Sequence, residues 1–354
     1  MWINETLGPE TGSGAWRDAF PDIDSLAAAR RIAGSIERTP LMSLPGSVAG
    51  ALDLRGKMEN HQVTGSFKAR GALNNILLLT EEERARGVVA SSSGNHGRAL
   101  AWAANRAGVP ATIVMPANAY PNKIEACRAE GADVVLAEDR TQADVIAEEL
   151  ASEGRVWVHP YDRTGTVEGA GTVGLEIAED WPEVDVVVIC VGGGGLSSGS
   201  ALALRRALGE RVVILGAEPS GAAAMEAGLR AGDTVHLDTI TSELQGLTTN
   251  FAGHLNVAIC LATLDGLVTV DDDAVFAAQK RLVNDDAEAS WAAEIVEPAG
   301  AAAHAAALDP GFLDVVSAVR TRRGIASDPS RPLRVAVTIS GGNPAPAQLA
   351  AQRA

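Results

Sequence analysis

The sequence predicts an α/β protein built on parallel, doubly wound sheets, and three observations carry that expectation. From Gly87 onward, short β-branched runs alternate with Ala-rich stretches of helical period. The strand-like runs are close to continuously apolar, as in Val184–Val191, so both faces of each sheet should be covered by helices. Hydrophobic residues make up 46% of the chain but aromatics only 4%, which suits Ala-lined helices over parallel strands better than a β-sandwich. At 354 residues the chain exceeds the usual size of one domain. Two domains are expected.

The elements follow in order. One amphipathic helix, Ile23–Arg38, opens the chain and stops at Thr39-Pro40. A strand at Val88–Ala90 leads to a helix from Asn95, then strand Ala111–Met115, a helix from Asn122, strand Ala132–Ala137, a helix from Thr141 and strand Arg155–His159. The alternation resumes after Thr166 with a helix to Asp180, the Val184–Val191 run, a helix after four glycines, strand Val212–Ala217 and finally strand Leu333–Ile339. Residues 87–158 therefore read as a small α/β lobe inserted into a large domain of residues 1–86 and 159–354, with a cleft between the lobes as the place for a ligand. Asp271-Asp-Asp273 reads as the cap of a helix from Ala274, and Asn284-Asp-Asp286 as a solvated face.

Charge and cysteine usage exclude several function classes. A formal net charge of −16 argues against nucleic acid and anionic membranes, whose phosphates need basic patches. No run of about 18 apolar residues is present, and Met1–Phe20 lacks a signal-type apolar core. Cys127, Cys190 and Cys260 are far apart and odd in number, so reduced, individually buried thiols and a cytoplasmic setting are expected. His61, His236, His254 and His304 show no ligand spacing.

Lys68 is the first candidate for chemistry. It stands at the opening of a helix among Phe67, Ala69 and Ala72, surroundings that favour the neutral, nucleophilic amine needed to form a Schiff base with a carbonyl. The second signal is Val191-Gly-Gly-Gly-Gly-Leu196, which directly follows an apolar strand and precedes a helix. Backbone amides without a Cβ in the way can wrap a phosphate, and the helix N-terminus adds its positive end. No Gly-Lys-Ser/Thr follows, so this is not a Walker loop; a dinucleotide fingerprint would lie earlier in its βαβ unit. The third is Ser91-Ser-Ser-Gly-Asn95-His96, where hydroxyls, an amide, an imidazole and helix-start amides converge as they would on a carboxylate. By itself that segment is an ordinary helix cap. The fourth is Ser340, presented at the end of the last strand before Gly341-Gly-Asn343, where its hydroxyl can donate to a neutral ring nitrogen.

Together these segments carry a resemblance that none carries singly. Thr64-Gly-Ser-Phe-Lys68-Ala-Arg-Gly-Ala72, Ser93-Gly-Asn-His-Gly97, the four-glycine loop, Val296-Glu-Pro-Ala-Gly-Ala301 and Ser340-Gly-Gly-Asn343 resemble the fold type II pyridoxal-phosphate enzymes, specifically the threonine/serine dehydratase and serine racemase group. The resemblance runs from about Ala29 to Asn343. It implies a two-lobed, tryptophan synthase β-like fold with a parallel-rich sheet flanked by helices in each lobe, a pyridoxal 5′-phosphate cofactor, a small amino-acid substrate and a homodimer. It further implies that Lys68 carries the cofactor, that Gly192, Gly193, Gly194, Gly195 and Leu196 hold its phosphate, and that Phe67 packs near the ring. Asn95 would bond the phenolic oxygen, Ser340 would face the ring nitrogen, and Ser92, Ser93, Asn95 and His96 would receive the substrate carboxylate. Ser93 matches the serine that reprotonates from the face opposite the lysine in racemase members.

Three departures qualify the match. The family's divalent-cation site takes Glu218, but its second acidic position is Ala224, so no metal is assigned. Glu243-Leu-Gln-Gly-Leu-Thr-Thr-Asn250 and Gly169-Ala-Gly171 differ from the family text bordering the substrate, and Tyr161, Thr248, Thr249 and Asn250 are expected to line a pocket of different shape. The sequence stops shortly after Asn343, so the regulatory domain of biosynthetic threonine dehydratases is not expected.

The expected activity is β-elimination on a threonine- or serine-like β-hydroxy amino acid, giving a 2-oxo acid and ammonia. Lys68 would take the α-proton. A racemase is the alternative within the same class, and a β-replacement enzyme a more distant one. The substrate and its stereochemistry are left open.

Overall fold

The computed structural model describes residues 1–5, 15–45, 51–286 and 291–353. Its strands, in chain order, are β1 (Trp2–Ile3), β2 (Leu41–Ser43), β3 (Leu52–Met58), β4 (Val88–Ser91), β5 (Ala111–Pro116), β6 (Asp133–Ala137), β7 (Val156–Trp157), β8 (Val186–Cys190), β9 (Val213–Pro219), β10 (Gly266–Val270) and β11 (Leu333–Ile339). Among the described residues they form two sheets. One has the order β1-β10-β9-β8-β11-β3-β2, parallel from β10 through β3 with an antiparallel strand at each edge. The other, β6-β5-β4-β7, is parallel throughout.

The α/β expectation is met, and the β-branched runs explain why. Every residue of β8 and of β9 is buried, and a fully buried Val or Ile contributes about 1.5–3 kcal/mol relative to exposure. A second core surrounds the four-stranded sheet and includes Leu73 and Ile76, so the helix bearing Lys68 (Lys68–Leu78) also packs against that sheet. Parallel strands put their carboxyl ends on one edge. Cys190 and Ile339 thus end side by side, with the glycine loop and Ser340 just beyond them.

Glycines set how closely the site-bearing helices approach. A Cβ on Gly169 would lie 2.6 Å from Arg70 O, and one on Gly199 would lie 2.2 Å from Val167 O. Helices Lys68–Leu78, Thr164–Asp180 and Gly195–Leu208 are therefore in backbone contact, which fixes the lysine relative to the glycine loop. This corrects one expectation. Gly169 and Gly171 are buried in helix contacts, Gly171 against Ser25 and Gly199, and do not shape a substrate pocket.

Other elements differ from the sequence reading. The first amphipathic helix spans only Ser25–Ile32, because Asp24 caps its start through Ala27 N at 2.8 Å and Gly34 takes a left-handed conformation just past its end. Asp271 does cap a helix, but one that begins at Asp272. Asn284 and Asp285 are tied to backbone, Asn284 donating to Gln352 O and Asp285 accepting from Ala293 N. Strands β2, β3 and β10 have no counterpart in the sequence reading. Among the described residues no helix is long and apolar enough to cross a membrane.

Candidate active site

Lys68 is positioned by a strained turn locked to the end of β11. Thr64 and Gly65 both take left-handed backbone conformations, with φ of 64° and 74°. Thr64 is the one non-glycine residue with positive φ among the described residues, and such a conformation costs about 1–3 kcal/mol. Asn343 Nδ2 donates to Thr64 O at 2.8 Å, and Gly342 N donates to Gly65 O at 2.8 Å. Ser66 then bridges to Gly341, and Phe67 N donates to Ser340 O at 3.2 Å. The lysine helix consequently starts beside Ser340.

The amine faces a desolvated space. Lys68 Nζ donates to Pro160 O at 2.8 Å and sits 4.9 Å from the centroid of the Phe67 ring. Desolvation pushes it from the ordinary 10.5 down to about 8, against the opposing pull of Cys190 and Glu297. A neutral, nucleophilic fraction is present near pH 8.

The glycine loop lies at the head of helix Gly195–Leu208, whose first amides have no acceptor within the helix. A Cβ on Gly193 would run into the Tyr161 ring at 2.3 Å, and one on Gly194, where φ is 95°, would meet Met225 Cε at 2.5 Å. The loop is pinned from behind: Asn256 Nδ2 and Gly253 N both donate to Gly193 O, at 2.8 and 3.1 Å, and Ser198 Oγ donates to Asn256 Oδ1 at 2.8 Å. Leu196 is buried beneath it.

Ser340 is buried at the end of β11, near the Cys190 thiol, which burial pushes up and to which Thr338 Oγ1 donates at 3.5 Å. On the far side, Asn95 Nδ2 donates to Glu297 Oε1 at 2.5 Å while Asn95 Oδ1 accepts from Asn343 Nδ2 at 2.9 Å. One Asn95 amide hydrogen remains for a further acceptor. Burial pushes the Glu297 carboxyl up, opposed by Lys123 and by the Asn95 bond. In the sequence, Glu297 has no role beyond its place in the Val296–Ala301 motif, as an acid set before Pro298.

The serine turn is more varied than its sequence indicates. Ser92 Oγ accepts from Gly94 N and Gly97 N at 3.3 and 3.2 Å, so it caps the helix Asn95–Arg106. Ser93 is exposed. His96 turns its ring into the core, where Nε2 meets Val158 O at 2.8 Å, and burial pushes its pKa down to about 3. The neutral ring braces the turn from the core side. Glu218 lies elsewhere: its two oxygens accept Met225 N and Glu226 N at 2.7 and 2.9 Å, at the start of helix Ala224–Ala231. Leu247 lies against Gly192, and the Thr249 hydroxyl is buried without a partner. Thr248 O meets Arg140 at 3.5 Å, and Asn250 is exposed with its carbonyl bonded to Leu237 N.

A family model described as "Pyridoxal-phosphate dependent enzyme" matches residues 32–315. The chain belongs to that family. It is similar to an L-threonine ammonia-lyase of Thermotoga maritima, 37% identical over 90% of this chain and 75% of that one. It is also similar to a phenylserine dehydratase of Ralstonia pickettii, 36% identical over 74% of this chain and 81% of that one. Among solved structures, a maize serine racemase superposes with a TM-score of 0.82 at 34% identity, covering 93% of this chain and 96% of that one.

The residues present fit pyridoxal phosphate. The glycine loop presents backbone amides on a tight turn whose Cβ positions are taken by Tyr161, Met225 and Leu247, and a helix N-terminus stands behind it to receive a phosphate. Ser66 Oγ, next to Phe67, and Thr249 Oγ1 are buried donors without partners.

Proposed function

We propose that the protein is an ammonia-lyase that eliminates the β-hydroxyl of a β-hydroxy amino acid and releases a 2-oxo acid and ammonia. The observation that carries this reading is the Lys68 amine, lowered to about 8 and held on Pro160 O at 2.8 Å, at the head of a helix whose preceding residue, Phe67, donates its amide to Ser340 O. Bound pyridoxal phosphate supplies the carbon that links the substrate amine and an electron sink for the α-carbon. Amides of the Ser92–His96 turn hold the carboxylate. Lys68 Nζ, displaced from Pro160 O, takes the α-proton, and the ammonium so formed returns a proton to the departing β-hydroxyl, which leaves as water. Water then hydrolyses the released enamine, so the net change is substrate to 2-oxo acid and ammonia. Ser340 is neutral and does not enforce a charge on the ring nitrogen it would face, which favours rapid loss of a β-substituent over slower fates. Free, buried Cys127, Cys190 and Cys260 support a reducing, cytoplasmic setting.

Racemisation is the second reading, favoured by the exposed Ser93 hydroxyl on the turn beside Asn95. A panel of L and D β-hydroxy amino acids, scored for 2-oxo acid and for chiral inversion, separates the two. Oxo-acid formation lost in Lys68→Ala is expected; inversion without oxo acid would replace lyase with racemase.

A further inference from the structure

Aromatic residues are scarce in this chain, at 4% of the sequence, yet several rings gather at one edge of the site. His159 and Tyr161 meet edge to face with centroids 4.6 Å apart, Tyr161 and Phe251 at 5.6 Å, and Phe251 stacks on His236 at 4.8 Å. Trp157 closes the inner end, 6.2 Å from His159. This row is anchored to the chemistry at both ends of Tyr161. Pro160, between its first two rings, gives its carbonyl to Lys68, and the Tyr161 ring covers Gly193. Phe251 stands two residues before Gly253, whose amide donates to Gly193 O.

The row is not a sealed core. Tyr161 is buried, Phe251 half-buried and His236 exposed, so ring faces continue from the amine to the surface. Two residues before Phe251, Thr249 Oγ1 is buried with no partner, a donor or acceptor left free on the same segment. Around the Tyr161 phenol, the exposed Arg140 acts in one direction and Asp162 and Asp144 in the other. Offset and edge-to-face contacts with such a row are satisfied by another ring.

We propose that the substrate is a β-hydroxy amino acid with an aryl group on its β-carbon, the aryl ring packing against Tyr161 and Phe251 and its hydroxyl meeting Thr249. This specificity rests on the elimination reading above. The test compares kcat/KM of the holoenzyme for L-threo-phenylserine, L-threonine, L-serine and 3-hydroxyaspartate, together with calorimetric binding of phenylalanine and alanine, which lack a β-leaving group. Phenylserine is expected to lead threonine by about tenfold or more, and phenylalanine to bind about tenfold more tightly than alanine. Phe251→Leu, which keeps apolar volume but loses the ring, should lower the phenylserine-to-threonine ratio several-fold, and Phe251→Ala should lower it further. Preference for threonine or 3-hydroxyaspartate, or an unchanged ratio in both variants, would overturn the proposal. Turnover of serine or threonine without phenylserine would leave elimination intact and remove only the aryl assignment. If no β-hydroxy amino acid is turned over, elimination fails, and Phe251-dependent phenylalanine binding still decides whether the row recognises a ring.

Discussion

Asn95 Nδ2 donates to Glu297 Oε1 at 2.5 Å, joining the first helix of the four-stranded sheet to the helix that follows Pro298. The carboxylate also acts on Lys68, raising its proton affinity against the desolvation that dominates there. Glu297→Gln keeps an acceptor for Asn95 but removes that charge. Its expected effect is a downward shift in the pH midpoint at which Lys68 becomes reactive, read from the pH dependence of cofactor uptake by the apoprotein. An unchanged midpoint would show that Glu297 does not reach the amine electrostatically.

Lys68 itself sets the second expectation. With its amine lowered to about 8, the nucleophilic form grows as pH rises through that value, so the rate of cofactor uptake should climb and level off above it. The linkage has a definite sign. Between about 8 and the ordinary 10.5, the unfolded chain holds a proton that the native amine has released, so this group's contribution to stability increases with pH. Lys68→Ala should abolish both the uptake profile and the yellow colour, and lower turnover by about 10²–10⁴-fold or more.

How much of this could be read from sequence depended on where each residue finds its partner. Strands β8, β9 and β11 are legible because β-branched residues buried on both faces leave few other options. Strand β3 is not, since Asp53, Arg55 and Lys57 interrupt it. Lys57 is fully buried against Glu176, and Arg55 lies over the Trp181 ring at 3.9 Å, partners more than a hundred residues away. The site divides in the same way. Lys68, the glycine loop, Asn95 and Ser340 announce themselves as strand-end and helix-start motifs. His96 reads as a ligand group but spends its Nε2 on Val158 O, and Glu297, given no role by its sequence neighbours, meets Asn95 from 202 residues away.

Arg70, buried in the first turn of the lysine helix, ties that helix to Glu59 and Glu176. Its guanidinium pairs bidentately with Glu59, through Nε and one terminal nitrogen at 2.7 and 2.8 Å, and with Glu176 at 2.6 and 2.9 Å. All three carboxylate and guanidinium groups lie at the helix bearing Lys68 or face it, and Arg70 is fully buried. Removing one partner of such a group leaves buried charge uncompensated, so Arg70→Ala should cost about 3–5 kcal/mol in denaturant unfolding. Arg70→Lys should recover only part of that loss, because an ammonium cannot form both forks. Full recovery by lysine would show that charge alone matters there.

Glu218 gives the last expectation, which concerns cations. Both of its oxygens are engaged by backbone amides at the start of helix Ala224–Ala231, and Ala224 beside them is buried and offers no ligand atom. A divalent cation binding there would have to strip the helix start of its acceptor. Dialysis against a chelator, followed by addition of magnesium, calcium or manganese, should therefore change kcat/KM by less than about twofold, since no transition-state contact is altered. The same acid has a pH signature of its own. Burial pushes Glu218 from the ordinary 4.5 up to about 8, against the pull of the two amides. The native carboxyl thus keeps a proton that the unfolded chain gives up, and its contribution, full below 4.5, is lost as pH rises through about 8. Unfolding free energies measured at pH 5 and pH 9 should accordingly differ less in Glu218→Gln than in the unmodified protein, because the amide cannot titrate. An equal difference in both would place the titrating group elsewhere, and strong activation by a cation would mean that the helix start gives way to bind it.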